Sequence, residues 1–272
     1  GPSGVSVHLY DVGGLGHGAS GVAAGLLHPF TPKGKELWRG WDGLRATLEL
    51  LEAAEAAAGG QGEPISWECG MIRGAKDDKQ ARQLGANAPA AAAAAHAMWG
   101  AEVMTPEEAR ETLPGLAAGA TEGGVALHIP RGRVLHSGRY IAGVWAACEQ
   151  LAAQRTAQGV PCAVELRIEA VGSLDELEAN QPGGGMYHAV VATAGAATGA
   201  LLQPGDPPIP MTPCLGHVLD MEPLEGREGY PPGGPALLGS PYIAAHGPRW
   251  VVVGATKVYG EGAVGGGGAA TA

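Results

Sequence analysis

The stretch from Val5 to Phe30, VSVHLYDVGGLGHGASGVAAGLLHPF, decides how the rest of the sequence is interpreted. It opens with alternating apolar residues, which predict a β-strand that ends on the acidic residue Asp11. A glycine-dense turn follows, and most of the remaining side chains are small. Because small side chains let the backbone approach a flat or charged ligand closely, the stretch predicts a nucleotide-binding segment.

Three glycines of this stretch, Gly16, Gly18 and Gly21, spell G-x-G-x-x-G, the fingerprint of Rossmann dinucleotide sites. That fingerprint requires a tight strand-to-helix turn, an unbroken helix and a second strand that ends in an acidic residue. Here residues 11–15 lengthen the turn, and glycine and proline interrupt the segment that should be helical. Since 47 of the 272 residues are glycine, a chance match is also expected. An NAD(P)-dependent dehydrogenase therefore remains the alternative hypothesis.

Asp11 favours a different interpretation of the same stretch. At the end of the second strand of a Rossmann unit, an acidic side chain accepts hydrogen bonds from the ribose hydroxyls. On this interpretation VSVHLYD is the second strand, and the fingerprint strand and its helix would precede Gly1. We therefore expect the first βα unit to be missing from this sequence.

The segment LYD…GLGHGASGVAAGLLHP resembles the corresponding part of FAD-dependent oxidoreductases of the D-amino-acid oxidase and glycine oxidase superfamily. It is similar in particular to the FAD domain of the bacterial tRNA methylaminomethyl-uridine enzyme. The resemblance implies that Asp11 holds the adenosine ribose and that the following small residues run along the pyrophosphate and the flavin ring. The cofactor-binding positions that it implies here are Asp11, Gly18, Ala19, Ser20, Gly21, Ala24, Gly25 and Leu26.

A second segment, HAVVATAGAATGALL, resembles the other nucleotide-contact motif of this superfamily, in which a strand ends on A-x-G and a short helix follows. The resemblance implies FAD contacts at Thr193, Ala194 and Gly195. It also implies an adenine contact at Ile168, after the predicted strand GVPCAVELRI. The downstream segment that closes over the pyrimidine side of the ring is not recognised, so the chain resembles a family member that is truncated at both ends.

Composition limits the functional classes that remain. The net charge of −10 argues against an extended nucleic-acid surface. Four scattered cysteines without a C-x-x-C pair indicate neither a zinc site nor a disulfide framework, and we expect no metal site. No apolar run reaches the roughly 18 residues of a membrane span. We expect a soluble intracellular protein whose targeting segment is not visible and whose oligomeric state is open.

Local signals place several elements. TPEEARETLPG predicts a helix with Thr105 as its N-cap, and Ser137 is the predicted N-cap of a later, longer helix. PISWECGMIRGAK is typical of a short strand pair. In the alanine-rich segment around residues 81–100, Pro89 is expected to break the predicted helix.

Together these signals predict an α/β protein, α+β overall. A Rossmann-like FAD-binding domain, without its N-terminal βα unit, is expected at residues 1–60 and 132–202. It would be intertwined with an antiparallel-sheet substrate domain at residues 61–131 and 203–260. The glycine-rich tail, residues 261–272, is expected to be disordered.

The resemblance implies that FAD accepts a hydride from the C–N carbon of an amine or amino acid, giving an imine that hydrolyses. The cofactor would supply the chemistry and the protein would orient the substrate. Tyr242, His217 and Lys257 are the polar residues expected to reach the flavin face, and Arg131 is expected to face an acidic substrate or the flavin edge. These four are the candidate catalytic residues. A third hypothesis is a non-catalytic or truncated flavoprotein-like fragment.

Overall fold

In the computed structural model, residues 4–60, 62–93, 99–116, 121–179, 187–224, 230–231 and 233–260 are described. The tail at 261–272, which was predicted to be disordered, lies outside these residues. The helices and strands alternate along the chain, and strands dominate its second half.

The elements are as follows, in chain order. Before residue 100 they are β1 (Val5–Tyr10), β2 (Leu26–Leu27), α1 (Gly40–Ala57), β3 (Ser66–Glu68), β4 (Met71–Gly74) and α2 (Asp78–Ala93). Between residues 100 and 180 they are β5 (Glu102–Met104), α3 (Pro106–Thr112), β6 (Ala126–Ile129), β7 (Arg133–Leu135), α4 (Ser137–Ala157), β8 (Cys162–Arg167) and α5 (Leu174–Ala179). After a 3-10 helix at Gly195–Leu201 come β9 (Cys214–Leu215), β10 (Val218–Met221), β11 (Ala236–Leu237), β12 (Tyr242–His246), β13 (Trp250–Gly254) and β14 (Val258–Tyr259).

The first strand belongs to a small parallel sheet. β1 pairs only with β8 among the described strands, in the register Val5 to Cys162 through Tyr10 to Arg167. The long helix α4 connects back to β8 and packs on it and on α1. Leu51 and Ala54 of α1 form a buried cluster with Ile65 beside α4. This strand–helix–strand arrangement is the part of the molecule that carries Asp11.

A seven-stranded sheet forms the larger part of the core, in the order β10-β13-β12-β11-β4-β6-β5. Its strands come from residues 71–129 and 218–254, two segments far apart in the sequence. One face buries Met71, Leu127 and Ile129 completely, and each such side chain contributes roughly 2 kcal/mol by leaving water. The opposite face is covered in part by α3 through Ala109 and Leu113.

The sheet is mixed rather than antiparallel. Five of its described pairings are antiparallel, but β4 and β11 run parallel, with Ala236 beside Met71. The sheet of the expected antiparallel substrate domain departs from that expectation at this one pair, because β11 arrives from the distant C-terminal segment and not from a hairpin with β4. The boundaries of the two domains stay a prediction.

Helix ends agree with the sequence at α3 but not at α4. Thr105 caps α3 in a capping box with Glu108, as its sequence predicts. At α4 the N-cap is His136, whose Nδ1 accepts the backbone N–H of Arg139 at 3.2 Å. The predicted cap, Ser137, lies inside the helix, because its hydroxyl donates to the carbonyl of Ala23 instead.

Three further elements differ from the sequence-based expectation. β3 and β4 both form, but they enter different sheets instead of pairing with each other. α2 continues through Pro89 to Ala93, although proline removes one backbone hydrogen bond there. Residues 189–193 form no strand, although within the described part of the chain β1 and β8 pair only with each other and each keeps one unpaired edge.

Candidate functional site

Asp11 lies at the carboxyl end of the parallel pair, directly after β1. Its backbone N–H donates to the carbonyl of Arg167, which continues the ladder by one residue. The carboxylate oxygen Oδ1 accepts the backbone N–H groups of Gly13 and Gly14 at 2.8 and 2.9 Å. Among the described residues, no hydrogen bond reaches Oδ2. One oxygen therefore shapes the glycine turn, while the other keeps its capacity to accept a hydrogen bond from a ligand.

The glycine turn itself is packed against the beginning of α4. Gly21 lies so close to the backbone of Gly16 that a side chain on Gly21 would overlap the Gly16 carbonyl. A side chain on Gly16 would in turn contact Gly21 and also Ile141 and Gly138 of the helix. The turn is therefore compact because of its glycines, and no helix begins within it. The literal G-x-G-x-x-G interpretation is wrong for this reason, since the next helix, α1, begins only at Gly40.

The predicted cofactor positions in this stretch fall into two groups. Gly18, Ala19 and Ser20 are exposed, and the space around Gly18 is open. Ala24 is buried, and Leu26 pairs with Val134 across β2 and β7. The exposed group is available to a ligand, whereas the second group is committed to packing.

Gly25 belongs to the packed group and shows why glycine is needed there. Its φ of +67° lies in the left-handed region, and its carbonyl accepts the N–H of Leu135 at 2.9 Å. A side chain at this position would overlap the carbonyl of Leu135. The backbone of the first stretch therefore approaches β7 as closely as only glycine permits.

Ile168 follows β8 and meets the first stretch at the same end of the small sheet. Its Cδ1 lies 3.3 Å from where a side chain on Gly14 would begin, and 59% of its surface is exposed. The structure therefore brings Ile168 and the Asp11 turn together. Thr193, Ala194 and Gly195 are also exposed, but no hydrogen bond among the described residues joins them to this turn.

His246 connects the large sheet to the first stretch. Its Nε2 lies 3.2 Å from the carbonyl of Ala24, and its ring stacks on Trp67 with centroids 5.7 Å apart. The ring of His136 lies 5.3 Å away on another side. Burial is the main cause that lowers the pKa of His246, so the ring is neutral near pH 7. The large sheet thus contacts the glycine stretch through a partly buried histidine.

Two of the four catalytic candidates, Tyr242 and His217, lie at the same end of the large sheet. Tyr242 pairs with Gly254 across β12 and β13, and its hydroxyl lies over Gly254. His217 bonds to Thr256 through its backbone N–H and through its ring, at 2.9 and 2.7 Å. Lys257 follows Thr256 and is exposed. Partial burial raises the pKa of Tyr242, so its hydroxyl keeps its proton at neutral pH.

Arg131 lies elsewhere and is already occupied. Its guanidinium makes two bonds of 3.0 Å to the carboxylate of Glu68, which also accepts a bond from Arg133. The Arg131 bond is the main cause that lowers the pKa of Glu68. A bidentate pair of this kind leaves little of the Arg131 charge for a substrate.

Arg73 is a residue that the sequence analysis missed. It lies on β4 opposite Leu127, on the face of the sheet that also carries Met71. Burial lowers its pKa, yet no carboxylate among the described residues pairs with it. The nearby His28 has its pKa lowered to about 4, first by burial and then by the charge of Arg73. The one sequence signal for this inward-facing cation is its position in the short strand MIRG, beside the apolar residues Met71 and Ile72.

A comparison with known protein families identifies the family of this chain. The profile of the family described as FAD dependent oxidoreductase (DAO) matches residues 2–270. The chain belongs to this family. Its fold class and the resemblance seen in the sequence are thereby confirmed, and the cofactor of the family is FAD. No curated protein matches the sequence.

Solved structures share this fold at low sequence identity. Glycine oxidase from Geobacillus kaustophilus matches with a TM-score of 0.67 and 21% identity, over 94% of this chain and 65% of that one. Iminodiacetate oxidase from Chelativorans sp. BNC1 matches with a TM-score of 0.56 and 22% identity, over 93% and 66%. L-proline dehydrogenase from P. horikoshii has a TM-score of 0.59 and 15% identity, over 94% and 71%. The chain thus spans about two thirds of the length of the first two.

The residues at the end of β1 fit the adenosine portion of FAD. Asp11 Oδ2 has free acceptor capacity, the backbone around Gly18 is open, and Ile168 offers an exposed apolar side chain to a flat ring. Residues Ala24–Leu26 face the protein instead.

None of the described helices combines the length and the apolar character that a membrane span needs.

Proposed function

We propose that the protein is an FAD-dependent oxidoreductase that oxidises a C–N bond of an amine or amino acid by transfer of a hydride to the flavin. The observation that carries this proposal is Asp11, an acidic residue at the carboxyl end of a parallel strand pair with one carboxylate oxygen unused. A ribose hydroxyl is the donor that such an oxygen accepts in nucleotide-binding folds.

The printed names of the structural neighbours support the substrate class. They are a glycine oxidase, an iminodiacetate oxidase, an L-proline dehydrogenase and L-amino acid deaminases. Each name contains an amino acid or a related amine. Because identity stays at or below 22% in these matches, the substrate of this protein is a proposal that needs its own test.

In the proposed mechanism FAD would accept the hydride, and the residues of this chain would bind the cofactor and orient the substrate. Asp11 would hold the ribose, with Ile168 beside the adenine and Gly18–Ser20 along the chain of the nucleotide. The second motif, Thr193–Gly195, would add backbone contacts. The oxidised substrate leaves as an imine, which water hydrolyses.

Arg73 and Tyr242 are the groups that we propose for the substrate side. The register places Leu238 between them, so their backbones lie two strand spacings apart, roughly 10 Å, on one face of the sheet. A half-buried guanidinium without a described carboxylate partner suits the carboxylate of an amino acid, because such a pair is charge-assisted. The protonated hydroxyl of Tyr242 can donate a hydrogen bond to the same substrate.

Asp11→Asn tests the proposed function. The amide oxygen of asparagine still accepts the Gly13 and Gly14 N–H groups, so the turn should persist, while the charge on the free oxygen is lost. Charge-assisted hydrogen bonds contribute about 1.5–3 kcal/mol, so we expect FAD to bind roughly 10- to 100-fold more weakly. Flavin released by denaturation, identified by mass spectrometry, and titration with FAD give the two readouts.

The matched control is Asp175→Asn, a change in the first turn of α5. It should leave FAD affinity unchanged. If the wild-type protein binds NAD in preference to FAD, the dehydrogenase alternative replaces the proposal. If it binds neither, the oxidoreductase assignment fails and a non-catalytic fragment is the better account.

A further inference from the structure

The two faces of the small sheet differ in chemistry. Along β1 and β8 the paired residues His8 with Glu165 and Tyr10 with Arg167 share one face. The guanidinium of Arg167 lies over the ring of Tyr10 and bonds to Glu165 at 2.9 Å. This face is therefore polar and aromatic, whereas the alternate residues of the strands are apolar. This polar face lies next to the Asp11 turn, and its contacts therefore bear on the proposed ligand site.

Tyr187 is the residue that contacts this face. Its hydroxyl lies 2.6 Å from Nδ1 of His8 and 2.9 Å from the hydroxyl of Tyr10. The rings of Tyr187 and His8 also meet edge to face, with centroids 5.6 Å apart. Only 10% of the His8 side chain is exposed, so these bonds are largely shielded from water.

The three groups form a chain in which every proton has an acceptor. Burial, followed by the hydrogen bond with Tyr10, raises the pKa of Tyr187 to about 12, so its hydroxyl keeps a proton. Tyr187 can donate that proton to His8 and accept the proton of Tyr10. Since a tyrosine hydroxyl both donates and accepts, one residue satisfies both partners.

The segment that follows Tyr187 has little else to hold it. Residues 188–194 are exposed and form no strand pair. Among the described residues, no other hydrogen bond joins this segment to β1 or β8. Six residues after Tyr187 lies Thr193, within a span of roughly 20 Å even when the chain is extended. While the Tyr187 hydroxyl is bound to the face of β1, Thr193 therefore stays within roughly 20 Å of that face.

We propose that Tyr187 is a positioning residue for the cofactor site, whose hydroxyl ties the segment of Thr193–Gly195 to the face of β1 next to Asp11. The inference rests on the proposed function, because the ligand that both motifs would share is FAD. Tyr187 itself touches neither cofactor nor substrate in this account. Its bonds to His8 and Tyr10 hold the start of the segment that leads to Thr193 against the face of β1 before the ligand arrives, so less ordering is needed on binding.

Tyr187→Phe tests the inference, because phenylalanine keeps the ring contact with His8 and removes both hydroxyl bonds. Each lost bond corresponds to roughly a fivefold change in an equilibrium, so we expect FAD to dissociate about 5- to 30-fold more readily. In the protein without added FAD, elastase should cut within residues 189–200 several-fold faster, as located by mass spectrometry. The thermal midpoint should stay close to that of the wild type.

Tyr259→Phe is the control, since Tyr259 is 65% exposed on β14. It should change neither FAD affinity nor elastase cleavage. Tyr10→Phe, which removes only one bond of the chain, should produce the same changes as Tyr187→Phe to a smaller extent, and it carries the test if Tyr187→Phe does not fold.

The outcomes separate this inference from the proposed function. Wild-type FAD affinity in Tyr187→Phe would overturn the inference and leave the proposed function standing. Faster elastase cleavage with unchanged FAD affinity would also overturn the inference, because the bonds of Tyr187 would then hold the segment without affecting the cofactor site. A wild-type protein that binds no FAD would overturn both.

Discussion

The small β1–β8 sheet and the seven-stranded sheet stabilise the protein in different ways. In the large sheet, Met71 and Ile72 of β4 are fully buried on opposite faces. In the small sheet, Val5 and Val7 of β1 remain 58% and 46% exposed. The large sheet therefore derives its stability from apolar burial. The strand that carries the proposed ligand site depends more on hydrogen bonds and on turn geometry.

The largest expected effect tests this difference directly. Leu127→Ala would leave a cavity in the large sheet, and buried Leu-to-Ala changes cost about 2–5 kcal/mol of unfolding free energy. Val7→Ala removes a side chain that is about half in water, and we expect a loss of less than about 1 kcal/mol. Urea unfolding of both variants measures the contrast. Equal losses would contradict the division between the two sheets.

The second prediction concerns two glycines of the same stretch. Gly25→Ala should destabilise the protein by about 3 kcal/mol, because it forces a side chain into the left-handed region and against the Leu135 carbonyl. Gly18→Ala should change stability by less than about 0.5 kcal/mol, since the space there is open. Thermal unfolding of the two variants without ligand measures the difference. A larger loss of stability in Gly18→Ala than in Gly25→Ala would contradict the division into a packed and an open glycine.

The third prediction is a pH dependence that arises from His28. Its pKa is about 4 in the folded protein and about 6.5 when unfolded, so the unfolded state binds more protons between these values. Stability is therefore complete above pH 6.5 and declines as the pH falls towards 4. We expect His28 to account for about 2 kcal/mol of the loss between pH 7 and pH 5.

His28→Asn should remove that contribution while keeping an acceptor for the N–H of Phe30, which bonds to His28 Nδ1 at 3.2 Å. Urea unfolding of both proteins at pH 7 and pH 5 gives the difference. An identical pH dependence in the wild type and the variant would show that His28 is protonated in the folded protein at pH 5.

The smallest expected effect concerns Arg73 on the large sheet. Arg73→Met keeps most of the side-chain volume and removes the charge, so the KM for an amino acid should rise about tenfold. For the corresponding amine without a carboxylate it should change little. The pKa of His28, measured by NMR titration, should also rise, because the charge of Arg73 that helps to lower it is lost. Equal effects on both substrates would argue against a carboxylate contact.

The sequence predicted the small sheet better than the large one. β1, the turn at Asp11 and β8 have local signals: alternation, a strand-ending acid and glycine. The pairing of β4 with β11 has none, because register between distant segments is set by tertiary packing. Among the site residues, Asp11 and Ile168 lie together as the resemblance implies. Their role and that of Thr193–Gly195 stay predictions.

Several site features could not be predicted from residue type alone. Arg131 is committed to Glu68, a partner far away in the sequence. Arg73 stands in a short apolar strand, where one charged residue usually faces water. Gly25 and Gly18 look alike in the sequence, yet one packs on a carbonyl and the other borders open space. Each distinction depends on neighbours that only the folded chain supplies.

The register of β1 also limits the order in which the protein can fold. Val5 pairs with Cys162, and within the described residues β1 has no other strand partner. While the chain leaves the ribosome, the backbone N–H and C=O groups of β1 must therefore wait for β8 to be synthesised. β4 waits longer for β11. Such late, non-local pairings slow folding and expose strand edges to aggregation. We therefore expect expression at low temperature or with added chaperones to increase the yield of folded protein.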